Sequence, residues 1–302
     1  MTGIRTAGVR PGSPGRFTGA AWPDGGRGSR AGMASPAQSP DDVTLTFGGN
    51  ATMLLRLGPF TLLTDPNFLR RGQRAYLGKG LWAKRLTDPA LQPTQLPVLD
   101  SILLSHLHAD HWDRIATRTL DRGTPVLTTQ AAARALERRG FRETVDLTPW
   151  QRHELTRDGA TLRITSVPGV HGPEPIARLL PPVMGSVLEL VRDGEVSWRG
   201  YISGDTVFKP WLGEVLQRCG PLDVVIPHLG GTKALGFTVT MDGRQGADLV
   251  ELLKPPVTVP VHYDDYDRFA SPLGDFVREV AARRAPGEIR PVTRGETISL
   301  RA

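Results

Sequence analysis

The run Ser105-His106-Leu107-His108-Ala109-Asp110-His111 constrains this chain more than any other stretch of it. Imidazole and carboxylate are the usual nitrogen and oxygen donors to zinc-like ions, binding at about 2.0–2.2 Å, and four such groups fall here within six residues. The apolar residues Ile102 to Leu104 just before them read as a buried strand. Where the chain leaves that rigid element, His106 and His108 can address one ion, while Asp110 and His111, at the opening of the next helix, can face a second. Three histidines this close also occur as a solvated surface patch, so the run by itself leaves both readings open.

Three more candidates each stand just beyond an apolar strand-like run. They are His171 in Val167-Pro168-Gly169-Val170-His171, Asp205 in Ile202-Ser203-Gly204-Asp205, and His262 in Val259-Pro260-Val261-His262. A site at one edge of a sheet collects ligands in this way from distant parts of a chain, and coincidence becomes a poor explanation. Of the two remaining histidines, His153 lies among Gln151, Arg152 and Glu154 and reads as solvated. His228 follows the apolar run Val224 to Pro227 and precedes a glycine pair. It is either a core histidine satisfied by a carbonyl or a donor of a hydrogen bond or proton to a leaving group or oxyanion.

The rest of the pattern sets the fold class. Short β-rich runs at Val43 to Phe47, Met53 to Leu57 and Phe60 to Thr64 are separated by Gly48-Gly49-Asn50 and Gly58-Pro59, as in an antiparallel meander. A loop from about Asn67 to Pro97 carries Arg70, Arg71, Arg74, Lys79, Lys84 and Arg85 with Tyr76 and Trp82 interleaved. Beyond it, helices are expected at Trp112 to Leu120, Ala131 to Arg139, Trp211 to Arg218, Gly243 to Leu253 and Pro272 to Arg284. Strands are expected at Pro125 to Thr128, Thr161 to Val167, Ser186 to Val191, Trp198 to Ser203, Val224 to Pro227 and Val257 to Val261. Strand-rich stretches punctuated by single helices in both halves predict an α+β chain folded as a four-layer αββα sandwich.

Residues 1–40 are rich in Gly, Pro, Ser, Ala and Arg and nearly devoid of large aliphatic residues, so a disordered tail is expected before a single domain over residues 41–302. Met33 stands close to where the strand pattern begins, which suggests that translation starts there. The formal charge is +6, but residues 1–32 hold five arginines against Asp24, a net +4, leaving +2 for the remainder. That is a weak case for a nucleic-acid partner. The one cysteine, Cys219, excludes an internal disulfide and a cysteine-based zinc site and fits a reducing compartment. No apolar stretch reaches membrane-spanning length and no secretory signal is seen, so a cytoplasmic chain is expected.

In its ligand order the sequence resembles the metallo-β-lactamase superfamily, whose pattern is His-x-His-x-Asp-His followed by a His, an Asp and a final His. Within it, Phe47-Gly48-Gly49-Asn50-Ala51-Thr52 and Leu63-Thr64-Asp65-Pro66 look like the branch of ascorbate-6-phosphate lactonase and the N-acylphosphatidylethanolamine-hydrolysing phospholipase D. Asn50 departs from the His more usual there. The resemblance implies two divalent ions, zinc first with manganese or iron as alternatives. His106, His108 and His171 would hold one, Asp110, His111 and His262 the other, and Asp205 would bridge them. A hydroxide shared by the ions would be the nucleophile, with Asp110 and His228 as catalytic candidates. Asp65 is either a turn former or a partner orienting a metal-binding histidine, and Tyr263, Asp264 and Asp265 are placed to join it.

The expected function is hydrolysis of a phosphodiester or phosphorylated small molecule. The alternatives are hydrolysis of a lactone, amide or other carboxylic derivative, or a non-catalytic, metal-stabilised binding protein. Arg70, Arg71 and Arg74 are the only hint in the sequence that the substrate is anionic. An exported β-lactamase is disfavoured by the missing signal, and a flavodiiron protein by His108 where that family has Glu. A nuclease is disfavoured by the modest charge and by the 34-residue step from His171 to Asp205. Oligomeric state is not legible.

Overall fold

The computed structural model describes residues 42–234 and 236–301; the expected disordered tail and the start at Met33 lie outside the described residues. Strands and helices are numbered in chain order. The first sheet runs β18 (Thr297–Ser299), β1 (Val43–Gly49), β2 (Thr52–Leu57), β3 (Phe60–Thr64), β6 (Ser101–Leu103), β7 (Val126–Thr128), β8 (Thr144–Asp146). The second runs β9 (Arg152–Arg157), β10 (Ala160–Pro168), β11 (Met184–Arg192), β12 (Glu195–Ile202), β13 (Val224–Ile226), β16 (Val257–Thr258), β17 (Glu288–Ile289). Two hairpins stand outside these sheets: β4 (Arg74–Gly78) with β5 (Leu81–Lys84), and β14 (Lys233–Ala234) with β15 (Phe237–Thr238).

Strand alternation sorts side chains between layers. Met53, Leu55 and Leu57 of β2 meet Leu188 and Leu190 of β11 and Ile226 of β13 in the core between the two sheets. Residues of opposite parity, Leu63, Ile102 and Val126, pack instead with Ala116 of α1 (Arg114–Thr119) and Leu136 of α2 (Gln130–Glu137). On the far side, Val187, Tyr201 and Val225 pack against α3 (Glu214–Cys219), α4 (Gly243–Leu253) and α5 (Leu273–Arg283). Strands covered on both faces read as continuous apolar runs, which is why these strands were visible in the sequence. The expected αββα layering is present.

Helices α1, α2 and α4 begin where a polar side chain satisfies one or two of their first free N–H groups. Asp113 accepts from the backbone of Ile115 and Ala116 ahead of α1, and Asp242 from Gln245 ahead of α4. Among the described residues no helix is long and apolar enough to cross a membrane.

The sequence reading needs correction at several elements, and β8, β14, β15 and β17 were not expected. The long loop from Asn67 to Pro97 contains the β4–β5 hairpin, hidden because its outer positions are charged or aromatic and its turn is Gly78-Lys79-Gly80. Strand β9 was missed because it is an edge strand of charged residues, a composition that blunts edge-to-edge pairing. The helix expected from Trp211 opens as a 3-10 turn, Pro210–Gly213. The C-terminal strand β18, paired with β1, was not foreseen.

Candidate metal centre

All the singled-out residues except His153 sit in loops at strand ends. Asp65 follows β3, residues 105–111 follow β6, His171 follows β10, Asp205 follows β12, His228 follows β13 and His262 lies beyond β16. His153 lies within β9, half-buried at a sheet edge and apart from these loops.

The structure brings the seven candidate ligands into two adjoining groups. In one, Nε2 of His106 is 2.9 Å from Nδ1 of His108, which is 3.3 Å from Nε2 of His171. In the other, Nε2 of His111 is 3.2 Å from both Oδ2 of Asp205 and Nε2 of His262, and 3.7 Å from Oδ2 of Asp110. The rings of His106 and His111, one from each group, are 4.2 Å apart between centroids.

Hydrogen bonds on the far side of the rings fix which nitrogen faces inward. His171 donates from Nδ1 to the Val239 carbonyl, at 2.8 Å, and His262 from Nδ1 to the Leu229 carbonyl, at 3.1 Å. His111 donates from Nδ1 to Oδ2 of Asp65, at 3.0 Å. Ser105 spends its hydroxyl proton on Asp65, so it can only accept from Nδ1 of His106. In their neutral forms these four rings would therefore turn Nε2 lone pairs toward the site, next to two buried carboxylates, and Oδ1 of Asp110 is buried without a hydrogen-bond partner. A donor set of this kind fits divalent cations, and far-side partners that fix the tautomer are the usual companions of a metal-binding histidine.

Charge points the same way. Burial holds His106 and His171 below the ordinary imidazole range and takes His108 down to about 3. Burial pulls down His111 and His262 as well, but for His111 the carboxylates of Asp205, Asp110 and Asp65 outweigh it, and for His262 those of Asp205 and Asp110 do. Burial opposes ionisation of Asp110, yet His111 and His262 take its carboxyl down to about 2, and the same two rings hold Asp205 well below the usual carboxylate range. In the chain by itself, protons on two histidines supply positive charge that a metal ion could supply instead.

Asp65 combines both roles considered for it. Its φ is +35°, a turn geometry, while its carboxylate accepts from the Ser105 N–H at 2.7 Å, the Ser105 hydroxyl at 2.8 Å and His111. Asn50 and His262 also take left-handed backbone, at φ +57° and +63°. Such strain persists only where surroundings impose it: the Asn50 N–H donates to Oδ2 of Asp265 at 2.6 Å, and the His262 N–H to the Asn50 carbonyl at 3.0 Å. The Asn50 side chain donates to the Asp110 carbonyl at 2.8 Å, so this residue braces the ligand loop from below.

His228 is fully buried behind Asp205. Its Nδ1 is 3.1 Å from Oδ1 of Asp205, its N–H donates to Ser203, and its Nε2 is without a partner.

Sequence reasoning missed Arg85, which is fully buried rather than part of a basic loop. It pairs with Asp265 at 2.9 Å and donates to Asn67, whose side-chain amide holds the Ala109 carbonyl at 2.9 Å. Asp265 thus joins the site through Arg85 and Asn50. Asp264 pairs with Arg294 and stays exposed, and Tyr263 is half-buried among the residues packed on α4 and α5.

A narrow cleft opens over the site. His108, Asp110, His171 and Asp205 line it together with the apolar Leu77, Leu81, Leu180, Ala234 and Val239. Its cations are Lys233 and Arg268; Arg70, Arg71 and Arg74, the residues that hinted at an anionic substrate, do not line it.

The model of the beta-lactamase superfamily domain matches residues 61–263, which contain every residue of the two groups. The chain belongs to the beta-lactamase superfamily. This superfamily member is 28% identical over 262 residues to a UPF0173 metal-dependent hydrolase of Pyrococcus furiosus, covering 85% of the chain and all of the relative. Among solved structures, a possible metal-dependent hydrolase from Veillonella parvula superposes with a TM-score of 0.71 at 23% identity, covering 85% of this chain and 99% of that one. An isothiocyanate hydrolase from Delia radicum gut bacteria gives 0.72 at 21% identity, covering 86% and 100%. These two likenesses establish the shared fold. The chain is a metal-dependent hydrolase of the superfamily.

Proposed function

We propose a binuclear hydrolase in which His106, His108 and His171 hold one divalent ion, Asp110, His111 and His262 hold the other, and Asp205 lies between them. The observation that carries this reading is the convergence of ligand atoms, several on rings oriented by far-side hydrogen bonds, on two adjoining points that line a cleft. Zinc suits the histidine-rich set best, with manganese and iron as alternatives. Two such ions supply Lewis acidity and bring the pKa of a shared water toward neutrality.

The chain's own residues do the rest. Asp65, Val239 and Leu229 hold rings in the tautomer that presents Nε2. Asp110, with Oδ1 unpartnered, can accept a hydrogen bond from a water in the cleft and so orient it. His228, expected to donate toward a leaving group, is better placed to position Asp205 through its Nδ1–H. The leucine walls exclude bulk water, which strengthens every charge interaction inside.

A phosphodiester or phosphorylated small molecule remains the first choice of substrate. Two divalent ions against Asp110 and Asp205 would leave excess positive charge at the site, which favours an anionic reactant. The apolar walls favour the second reading, a lactone or amide.

The test is metal content of protein purified without chelator, together with cleavage of a chromogenic phosphodiester, a lactone and a cephalosporin. About two ions per chain and chelator-sensitive cleavage of one substrate support the proposal and name the bond. Less than one ion after reconstitution, with no cleavage, overturns it.

A further inference from the structure

We propose that Thr232, Lys233 and Arg268 form an anion subsite for the non-reacting end of the substrate. The enzyme then acts on small molecules in which an apolar segment joins the scissile bond to a terminal carboxylate or phosphate. The inference rests on the metal-centre reading above and adds the substrate class to it.

The cleft lining combines three kinds of residue: those of the metal centre; Leu77, Leu81, Leu180 and Val239, whose side chains offer no hydrogen bond; and a remaining polar trio, Thr232, Lys233 and Arg268. A sugar-like body would lose its hydration against those leucines with nothing to replace it, whereas an aliphatic or aromatic one gains by burial.

Each member of the polar trio has unspent capacity. The Thr232 hydroxyl is buried without a hydrogen-bond partner. Neither Lys233 nor Arg268 has a carboxylate within ion-pair distance among the described residues. Arg268 is also pre-oriented: its Nε donates to the Trp82 carbonyl at 3.0 Å, which leaves both Nη groups free for a ligand and ties them to the β4–β5 hairpin. An already oriented guanidinium loses less freedom on binding. A carboxylate and a phosphate both satisfy two cations and a hydroxyl, so the chemistry specified is a terminal oxyanion.

The probes are ω-mercaptoalkanoic acids, ω-mercaptoalkyl phosphates and ω-mercaptoalkanols of matched chain lengths, titrated calorimetrically into the zinc-reconstituted full-length protein. The thiolate anchors each on zinc, so the chains differ only at the far end. At one chain length an anionic probe should bind roughly tenfold tighter than its alcohol, the gain expected of a charge-assisted hydrogen bond. Whichever of acid and phosphate gains more names the anion. That advantage should vanish in the Lys233→Met/Arg268→Met double variant and shrink in Arg268→Lys, with zinc content unchanged.

Equal binding of anion and alcohol at every length, or an advantage that survives the double variant, overturns the subsite and leaves the metal centre standing. If no thiol binds, the metal-centre reading fails and the subsite falls with it.

Discussion

Asp65 shows what one residue contributes: a left-handed turn, two bonds to Ser105 and the tautomer of His111 all depend on it. Asp65→Ala is expected to weaken binding of the second ion by roughly 10- to 100-fold, the usual effect of removing a histidine's outer partner, read by competitive zinc titration. His228→Ala should act similarly through Asp205; unaltered metal affinity together with a lost leaving-group dependence would instead restore the donor role considered for it. Protonation gives a further prediction for chelated protein. His106, His108, His171 and His228 have folded pKa values below the ordinary 6.5, so the unfolded chain binds more protons and stability falls as pH drops from about 6.5 toward 3. His111 and His262 are raised, so their stabilisation is full below 6.5 and fades as pH rises through their folded values. The chelated protein's thermal midpoint should therefore peak near pH 6.5 and fall more steeply on the acid side; a midpoint still rising well below pH 6 contradicts these assignments.

Among elements, the segment between β3 and β6 departs furthest from what its composition suggested. Its basic residues read as one solvated loop, but Arg85 turns inward because Asp265, far along the chain, accepts it, while Arg70, Arg71 and Arg74 stay exposed. No local pattern distinguishes a buried arginine from its exposed neighbours when the partner arrives by tertiary contact. Replacing Arg85 with Met leaves Asp265 buried with Arg294 as its remaining cation. The expected cost is about 3 kcal/mol, the low end for breaking a buried pair, measured by urea unfolding of the chelated protein. Because Arg85 also steadies Asn67 and so the carbonyl of Ala109, metal affinity should fall too. A variant as stable and as metal-avid as the parent would remove the strut from the account. The hairpin β4–β5 was illegible for a related reason: it has one packed face, with Ala75 and Ala83 buried, and its other face carries Tyr76 and Trp82, their rings tilted at 48° with centroids 4.9 Å apart. So short an alternation is lost among charged neighbours.

At the scale of the whole molecule the two sheets repeat one plan. In the first, β1, β2 and β3 are antiparallel and β6, β7 and β8 continue in parallel; in the second, β10, β11 and β12 are antiparallel and β13, β16 and β17 continue in parallel. Asp65 and Asp205 follow corresponding strands, as do the 105–111 run and His228. No repeat shows in the sequence, because the plan is kept by backbone pairing, which many side chains satisfy. Since the ligands come from both halves, metal should join them: stripping it with a chelator is expected to lower the thermal midpoint, with recovery on adding zinc, and an unchanged midpoint would show that the ions bind without coupling to the fold. What the sequence determined by itself was local: ligand chemistry packed into six residues, strands buried on both faces, single helices between strand-rich stretches, and from these the αββα class and the family. What only the tertiary structure decided was which polar groups met, because burial and pairing arise between residues remote along the chain: Arg85 with Asp265, His228 with Asp205, and Lys233 and Arg268 in the lining of one cleft.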